Sequence, residues 1–306
     1  MKPLPPNARA DLQDLIERLA SLQEGEASGI PAEECERFAV AACTTSGEQV
    51  HAGDADILIA LQSMSKPFIY GEALTVLGRE KVLRYCNVEP TGEAFNSLSE
   101  LEEDRLPYNP MINSGAITMS ALLHQHEPER ARDRMMEMFG DYLGREARID
   151  ESVLGRETEG IHRNKAIAHL LRHFEVIGDD IDGALTLYTW QCSVLATTRE
   201  LALMAATLAN GGVHPLTGKQ ALPREYVRDV LSVMLTCGMY DASGNWAYKV
   251  GLPAKSGISG GILAVVPGRM GIAAFSPRLD QHGNSVRAAE ALRLLSRDWK
   301  LGMFDA

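Results

Sequence analysis

Ser63 and Lys66 stand three residues apart in the run Gln62-Ser63-Met64-Ser65-Lys66, with Pro67 and Phe68 directly after. A hydroxyl and an amine at that spacing make a self-contained pair for acyl transfer. At the start of a helix, positions i and i+3 lie one above the other, so the amine reaches the hydroxyl. The amine removes the hydroxyl proton only when it is itself neutral. A free lysine has a pKa near ~10.4, so the chemistry requires burial or nearby positive potential to bring it down. A helix N-terminus supplies such potential, and its N–H groups favour a developing oxyanion. The bland alternative is a surface turn with a solvated lysine, because S-x-x-K recurs by chance in many chains.

The flanking residues argue against that alternative. Ile57-Leu58-Ile59-Ala60-Leu61 is a short apolar run that reads as a buried strand. Phe68, Ile69, Tyr70, Ala73 and Leu74 then follow with helical spacing, which sets Ser63 at a strand-to-helix junction. Pro67 disfavours the helical conformation at Lys66, so the helix is expected to start late or irregularly. Upstream, Leu12, Leu15, Ile16 and Leu19 mark one face of a helix over 9–22, residues 38–42 read as a strand, and Thr45-Ser46-Gly47 as a turn. Residues 63 to about 240 read as mainly helical. Ile167, Leu170, Leu171 and Phe174 share a face, and Asn164 lies on that face too. Thr197-Thr198-Arg199-Glu200 has the capping-box pattern, and Asn210-Gly211-Gly212 is a left-handed stop. Residues 246–250, Gly261–Val266 and Met270–Phe275 read as strands. A last amphipathic helix carries Ala288, Leu292, Leu295 and Trp299 on one face.

This order implies an α+β fold: one antiparallel sheet built from both chain ends, flanked by terminal helices, with a mainly helical lobe inserted. We expect a single catalytic unit over 1–306. Its sheet lobe comprises 1–62 and 245–306, its helical lobe 63–244, and a pocket lies between them.

Composition narrows the chemistry. The chain has 306 residues with 45% hydrophobic and 23% charged residues, an ordinary globular balance. Its net charge of -11 argues against a nucleic-acid partner, which normally calls for a basic footprint. The five cysteines (Cys35, Cys43, Cys86, Cys192 and Cys237) are scattered without C-x-x-C spacing. They read as reduced thiols of a cytoplasmic protein, not as a zinc site or a disulfide framework. His124 and His126, two apart before a charged stretch, read as solvated loop histidines. The N-terminal Met-Lys-Pro-Leu-Pro-Pro lacks an apolar signal core, and no apolar run reaches the roughly 20 residues that span a bilayer, so no membrane partner is expected.

A second motif, Lys255-Ser256-Gly257, stands at an expected strand start. It resembles the K-[ST]-G element that accompanies S-x-x-K in penicillin-recognising enzymes. The glycines of Ile258-Ser259-Gly260-Gly261 let backbone approach a ligand closely. Taken together, several segments make the chain similar to the serine-dependent glutaminases, which share the β-lactamase-like fold. These are Gln62-Ser63-Met64-Ser65-Lys66, Gly92-Glu93-Ala94-Phe95-Asn96-Ser97, Asn109-Pro110-Met111-Ile112-Asn113-Ser114-Gly115-Ala116-Ile117 and Arg163-Asn164. Tyr188-Thr189-Trp190-Gln191-Cys192-Ser193, Cys237-Gly238-Met239-Tyr240-Asp241 and Gly251-Leu252-Pro253-Ala254-Lys255-Ser256-Gly257 complete the set.

The resemblance implies hydrolysis of L-glutamine to glutamate and ammonia, without metal or organic cofactor. It implies Ser63 as nucleophile, Lys66 as its base, and substrate contacts from Gln62, Asn113, Glu157, Asn164, Tyr188 and Tyr240. The backbone N–H groups of Ser63 and Ile258 would form the oxyanion hole. It also implies a homodimer or homotetramer. The chemistry fits a zwitterion ending in an amide. Glu157 suits an α-ammonium if desolvated, and Asn164, on an inward face, suits an α-carboxylate. Asn113 otherwise reads as a helix cap, and Tyr188 as a core tyrosine. Tyr240 is the expected proton shuttle to the departing ammonia.

One departure stands out. Where the family carries A-D-Y-I-P, this chain reads Ala27-Ser28-Gly29-Ile30-Pro31, with Gly29 at the tyrosine's place. Two rival readings follow. One is a β-lactamase or D-alanyl peptidase, which would call for a signal peptide and a Ser-Asp-Asn triplet. The other is an amino-acid-binding descendant that has lost turnover.

Overall fold

The computed structural model describes residues 3–27, 30–91 and 105–305. Gly29 and the segment 92–97 lie outside the described residues. Five strands, β1 (Ala39–Thr44), β2 (Gln49–Gly53), β5 (Ala254–Ser256), β6 (Gly261–Val266) and β7 (Met270–Phe275), form one antiparallel sheet in the order β2-β1-β7-β6-β5. The expected sheet from both chain ends is therefore present, in the α+β, β-lactamase-like arrangement. Its centre is the β1–β7 pairing, with Ala39 opposite Phe275 and Thr44 opposite Met270. A separate short pair joins β3 (Ile59–Ala60) to β4 (Leu195–Ala196).

Both faces of the sheet are covered, so the strands alternate between two apolar environments. Val40, Ala42, Ile262, Ala264, Ile272 and Ala274 pack under helices α1 (Ala8–Leu19) and α12 (Val286–Trp299). Ala41, Cys43, Leu263, Val265 and Ala273 face the helical core instead. There, α9 (Thr198–Ala209) lies directly on the sheet. Gly271 permits that approach, because a Cβ there would overlap backbone of Ala202 and Ala206. The expected capping box starts α9: Glu200 N–H donates to Thr197 Oγ1 and Thr197 N–H to Glu200 Oε2. Gly211 and Gly212, both at positive φ, follow its end. On the opposite layer Arg287 is buried and donates to the carbonyls of Ala20 and Leu22, tying α12 to the end of α1.

The remaining helices build the lobe beside the sheet. They are α2 (Lys66–Leu77), α3 (Arg79–Leu83), α4 (Asn113–His126), α5 (Ala131–Leu143), α6 (Glu151–Glu159), α7 (His162–His173), α8 (Ile181–Ser193), α10 (Arg224–Cys237) and α11 (Ser243–Lys249).

Three local expectations need correction. Residues 246–250 are not a strand; they lie in and just after α11. Trp246 and Val250 are buried while Tyr248 is 90% exposed, a four-residue spacing that fits a helix rather than alternation. His124 and His126 sit in the last turn of α4, not in a loop, and His124 Nε2 lies 2.7 Å from Asp180 Oδ2. The strand before Ser63 is only two residues long, with Leu58 half exposed. All five cysteines are free and buried. Among the described residues, no helix is long and apolar enough to cross a membrane, and no three His, Cys, Asp or Glu side chains group as metal ligands.

Candidate active site

The chain enters the site from β3 and turns through a 3-10 segment, Gln62–Ser65, that runs straight into α2. Gln62 makes this turn at φ 49°, a left-handed conformation that a side chain adopts only under strain. The turn is held at both ends. Gln62 O accepts from Ser65 Oγ at 2.7 Å, and Gln62 Nε2 donates to Glu157 Oε1 at 3.0 Å. Ser63 follows, 8% exposed, with its N–H in the first turn of the segment, where no helical acceptor exists. Lys66 keeps helical angles (φ -58°, ψ -43°) despite Pro67. The expected irregularity is therefore met by the 3-10 turn, one residue earlier than the proline rule places it.

Lys66 is buried, at 1% exposure, and its Nζ donates to Asn113 Oδ1 at 2.6 Å. Burial pulls its pKa down to about 8, partly opposed by Cys192 and Glu157. Asn113 opens α4 but does not cap it. Its side chain turns to Lys66 and, through Nδ2, to Asn164 Oδ1 on α7 at 3.0 Å. Three elements that are distant in sequence are thus joined by one polar chain. Asn164 shares its helix face with buried Ile167, Ala168 and Leu171, as its spacing suggests.

Tyr240 closes the other side. It begins a short 3-10 turn at φ 52° and is 7% exposed. Its hydroxyl donates to Ser256 O at 3.3 Å. Burial pushes its pKa up to about 12, against hydrogen bonds with the side chain of Ser63 and with Ser256. The phenol is therefore neutral and next to the serine hydroxyl. Lys255 lies beneath it, with Nζ 4.1 Å from the Tyr240 ring centroid. That nitrogen donates to Gly238 O at 2.9 Å and to Ser256 O at 2.8 Å. Burial, and then the charge of Lys66, pull the Lys255 pKa well down.

Lys255 and Ser256 end β5 rather than starting it, and the chain then turns back. Gly257 packs against the serine turn, since a Cβ there would lie 2.9 Å from Leu61 O. Ile258 follows Gly257 in the chain, with its side chain 45% exposed. A cavity of about 330 Å³ opens along Ile258 and Gly283. Tyr188, on α8, is buried at 4% exposure and its hydroxyl pKa is raised by burial.

Direct bonds thus join Lys66, Asn113 and Asn164 in one chain, Gln62 to Glu157 in a second, and Tyr240 to the side chain of Ser63. Two participants escaped sequence reasoning. Cys192, one helical turn after Tyr188, is hydrogen-bonded to Tyr188 and Ser65, and burial pushes its thiol pKa to about 12. The i, i+4 spacing from Tyr188 on one buried helix was its signal. Lys255 was visible as a motif residue, but its seat under the Tyr240 ring was not.

Comparison with known proteins identifies the chain. The glutaminase family profile matches residues 28–304. A glutaminase of Trichormus variabilis is 46% identical over 298 residues, covering 96% of this chain and 89% of that protein. A glutaminase of Microcystis aeruginosa is 48% identical, covering 88% and 79%. Among solved structures, a probable glutaminase of Bacillus subtilis superposes with TM-score 0.92 at 33% identity, over 97% of this chain and 98% of that one. The protein Mglu in its glutamate form gives TM-score 0.92 at 40% identity, over 99% of this chain and 71% of that one. With agreement in sequence and fold over nearly its whole length, this chain belongs to the glutaminase family.

Proposed function

We propose that this protein is an amidohydrolase that converts L-glutamine and water to L-glutamate and ammonia through an ester on Ser63. The observation that carries the reading is the polar cluster itself. Ser63 is hydrogen-bonded to a buried neutral tyrosine and stands one turn before a buried lysine whose pKa falls to about 8. Family membership and the likeness to Mglu in its glutamate form support glutamine as the substrate.

The neutral Lys66 amine takes the Ser63 proton, and the serine oxygen attacks the side-chain amide carbon. The N–H groups of Ser63 and Ile258 hold the oxyanion, each worth about 2.7–4 kcal/mol in comparable sites. Tyr240 gives its hydroxyl proton to the departing amine and regains one from the Lys66 ammonium, so ammonia leaves neutral. Water then cleaves the glutamyl ester and restores Ser63. Glu157, steered by Gln62, receives the α-ammonium. Asn164, oriented by Asn113, offers its amide to the α-carboxylate, and Tyr188 lines the same pocket. The sheet lobe (1–62 and 245–306) and the helical lobe (63–244) act here as one catalytic unit. From its scattered free cysteines we place the protein in the cytoplasm, and by family likeness we take it as a homodimer or homotetramer; light scattering after gel filtration reads the latter directly.

The deciding experiment is ammonia release from glutamine, asparagine and γ-glutamyl amides, with Ser63→Ala as control. Turnover of glutamine that disappears in the variant supports the reading. Tight glutamine binding without ammonia would instead identify a binding protein, and nitrocefin hydrolysis without ammonia a β-lactamase.

A further inference from the structure

The Lys66–Asn113–Asn164 chain has a direction, and Lys66 sets it. Lys66 Nζ donates to Asn113 Oδ1 at 2.6 Å, and both residues are buried, at 1% and 8% exposure. An ammonium carries donors only. A neutral amine still presents an N–H here, because its lone pair is required at Ser63. The Asn113 oxygen therefore faces Lys66 in both states. Were the amide reversed, its NH2 would meet the amine donor against donor, with no water to satisfy either. Asn113 Nδ2 is thereby placed on the far side, where it donates to Asn164 Oδ1 at 3.0 Å. The oxygen of Asn164 is taken in turn. What Asn164 has left for a ligand is its NH2 edge, and no bond among the described residues occupies that edge.

Glu157 acts on Gln62 in the opposite sense. Its Oε1 accepts from Gln62 Nε2 at 3.0 Å, which turns the Gln62 amide oxygen the other way. One side of the cluster thus ends in N–H donors and the other in oxygen acceptors. Donors suit a carboxylate, and acceptors suit an ammonium. A lysine that orients two successive amides decides which of the two Asn164 can read.

We propose that Lys66 has a second task, in substrate selection: acting through Asn113, it holds the NH2 edge of Asn164 toward the ligand, so that an α-carboxylate is preferred to an uncharged α-amide. Asn113 is then a positioning residue, and the selectivity is set two hydrogen bonds away from the group that reads it. This task presupposes L-glutamine as the ligand, as proposed above, but it concerns binding rather than turnover. The Lys66 charge also attracts a carboxylate directly through space, and that attraction needs neither asparagine.

Calorimetry separates the two effects. In a Ser63→Ala background, the quantity read is the ratio of the dissociation constants of L-glutaminamide, the α-amide, and L-glutamine. Lys66→Met should lower this preference for the carboxylate about tenfold. Adding Lys66→Met to Asn113→Leu, which cuts the chain, should leave the ratio where Asn113→Leu alone puts it. Asn164→Leu, which keeps the buried partner of Lys66 in place, should silence Lys66→Met in the same way. A merely structural role would weaken both ligands alike and leave the ratio unmoved. A ratio indifferent to Lys66→Met, or an effect of Lys66→Met that persists in Asn113→Leu or Asn164→Leu, would overturn the proposal and leave the hydrolytic reading standing. Absence of saturable L-glutamine binding to Ser63→Ala would overturn both.

Discussion

Two lysines buried within one cluster hold different partners, and we propose that this gives them different work. Lys66 Nζ bonds a side-chain amide, Asn113 Oδ1, which can move with its rotamer and which itself leans on Asn164. Lys255 Nζ bonds two backbone carbonyls, Gly238 and Ser256, and sits on the face of Tyr240. A neutral amine still has two N–H groups, so Lys255 satisfies both carbonyls whether or not it is charged. Burial depresses both lysines, yet only Lys66 follows the Ser63 turn directly, one helical turn from its hydroxyl. Burial alone therefore does not mark a catalytic lysine; what the nitrogen is bonded to decides whether it can act.

The largest expected effect comes from the serine that Lys66 is proposed to serve. Ser63→Ala should lower glutamine turnover by about 10⁴-fold or more, with thermal unfolding unchanged; retention of turnover would remove the serine from the chemistry. Next, Lys66→Met should cost about 10³-fold in kcat while leaving the melting temperature level or higher, because it removes a desolvated base. Tyr240→Phe should cost about 10²-fold in kcat, and a variant with unmodified kcat would take the phenol out of the proton path.

The pH profile sharpens the contrast further. The folded state holds Lys66 near pKa 8, so the reactive neutral form is scarce below that value. kcat/KM should rise about tenfold per pH unit towards pH 8 and then level off, a limb absent in Lys66→Met. In stability the sign is the same. The cost of burying Lys66 is greatest below about pH 8 and is relieved as pH climbs from there towards 10.5, because the unfolded chain then binds more protons. The smallest effect belongs to the second lysine. Lys255→Met should lower stability by about 2 kcal/mol, since two buried carbonyls each lose their shorter donor and keep only one at 3.3 or 3.4 Å, as read by urea unfolding. Equal stability effects of Lys66→Met and Lys255→Met would erase the distinction drawn between them.

Much of this arrangement is legible in sequence where the physics is local. The capping box at Thr197, the glycine stop after Asn210 and the apolar faces of α1 and α12 depend on neighbours within a turn or two, and they stand where their patterns put them. Local signals failed where two patterns overlap. Trp246 and Val250 look like strand residues by type, yet their spacing serves a helix that buries one edge and exposes Tyr248. Family resemblance supplied the candidate site residues as a set, and only Ser63 and Lys66 suggested chemistry by their own spacing. The Lys66–Asn113–Asn164 chain joins α2, α4 and α7, and nothing within any one helix announces it. The left-handed conformations of Gln62 and Tyr240 were equally hidden, because neither residue type prefers them.

The pairing of β1 with β7 has a consequence for synthesis. Val40 meets Ala274, so the central ladder joins segments that are synthesised far apart in time. On the ribosome, the β1–β2 hairpin waits with one unpaired edge until β7 has emerged, and long-range pairing of that kind forms slowly. Over that interval the nascent chain exposes a row of unpaired amides and an apolar strand, the type of surface that invites association between chains. The turn at Ile258 is likewise made late, so Ser63 is synthesised well before the second of the two N–H donors proposed to serve it.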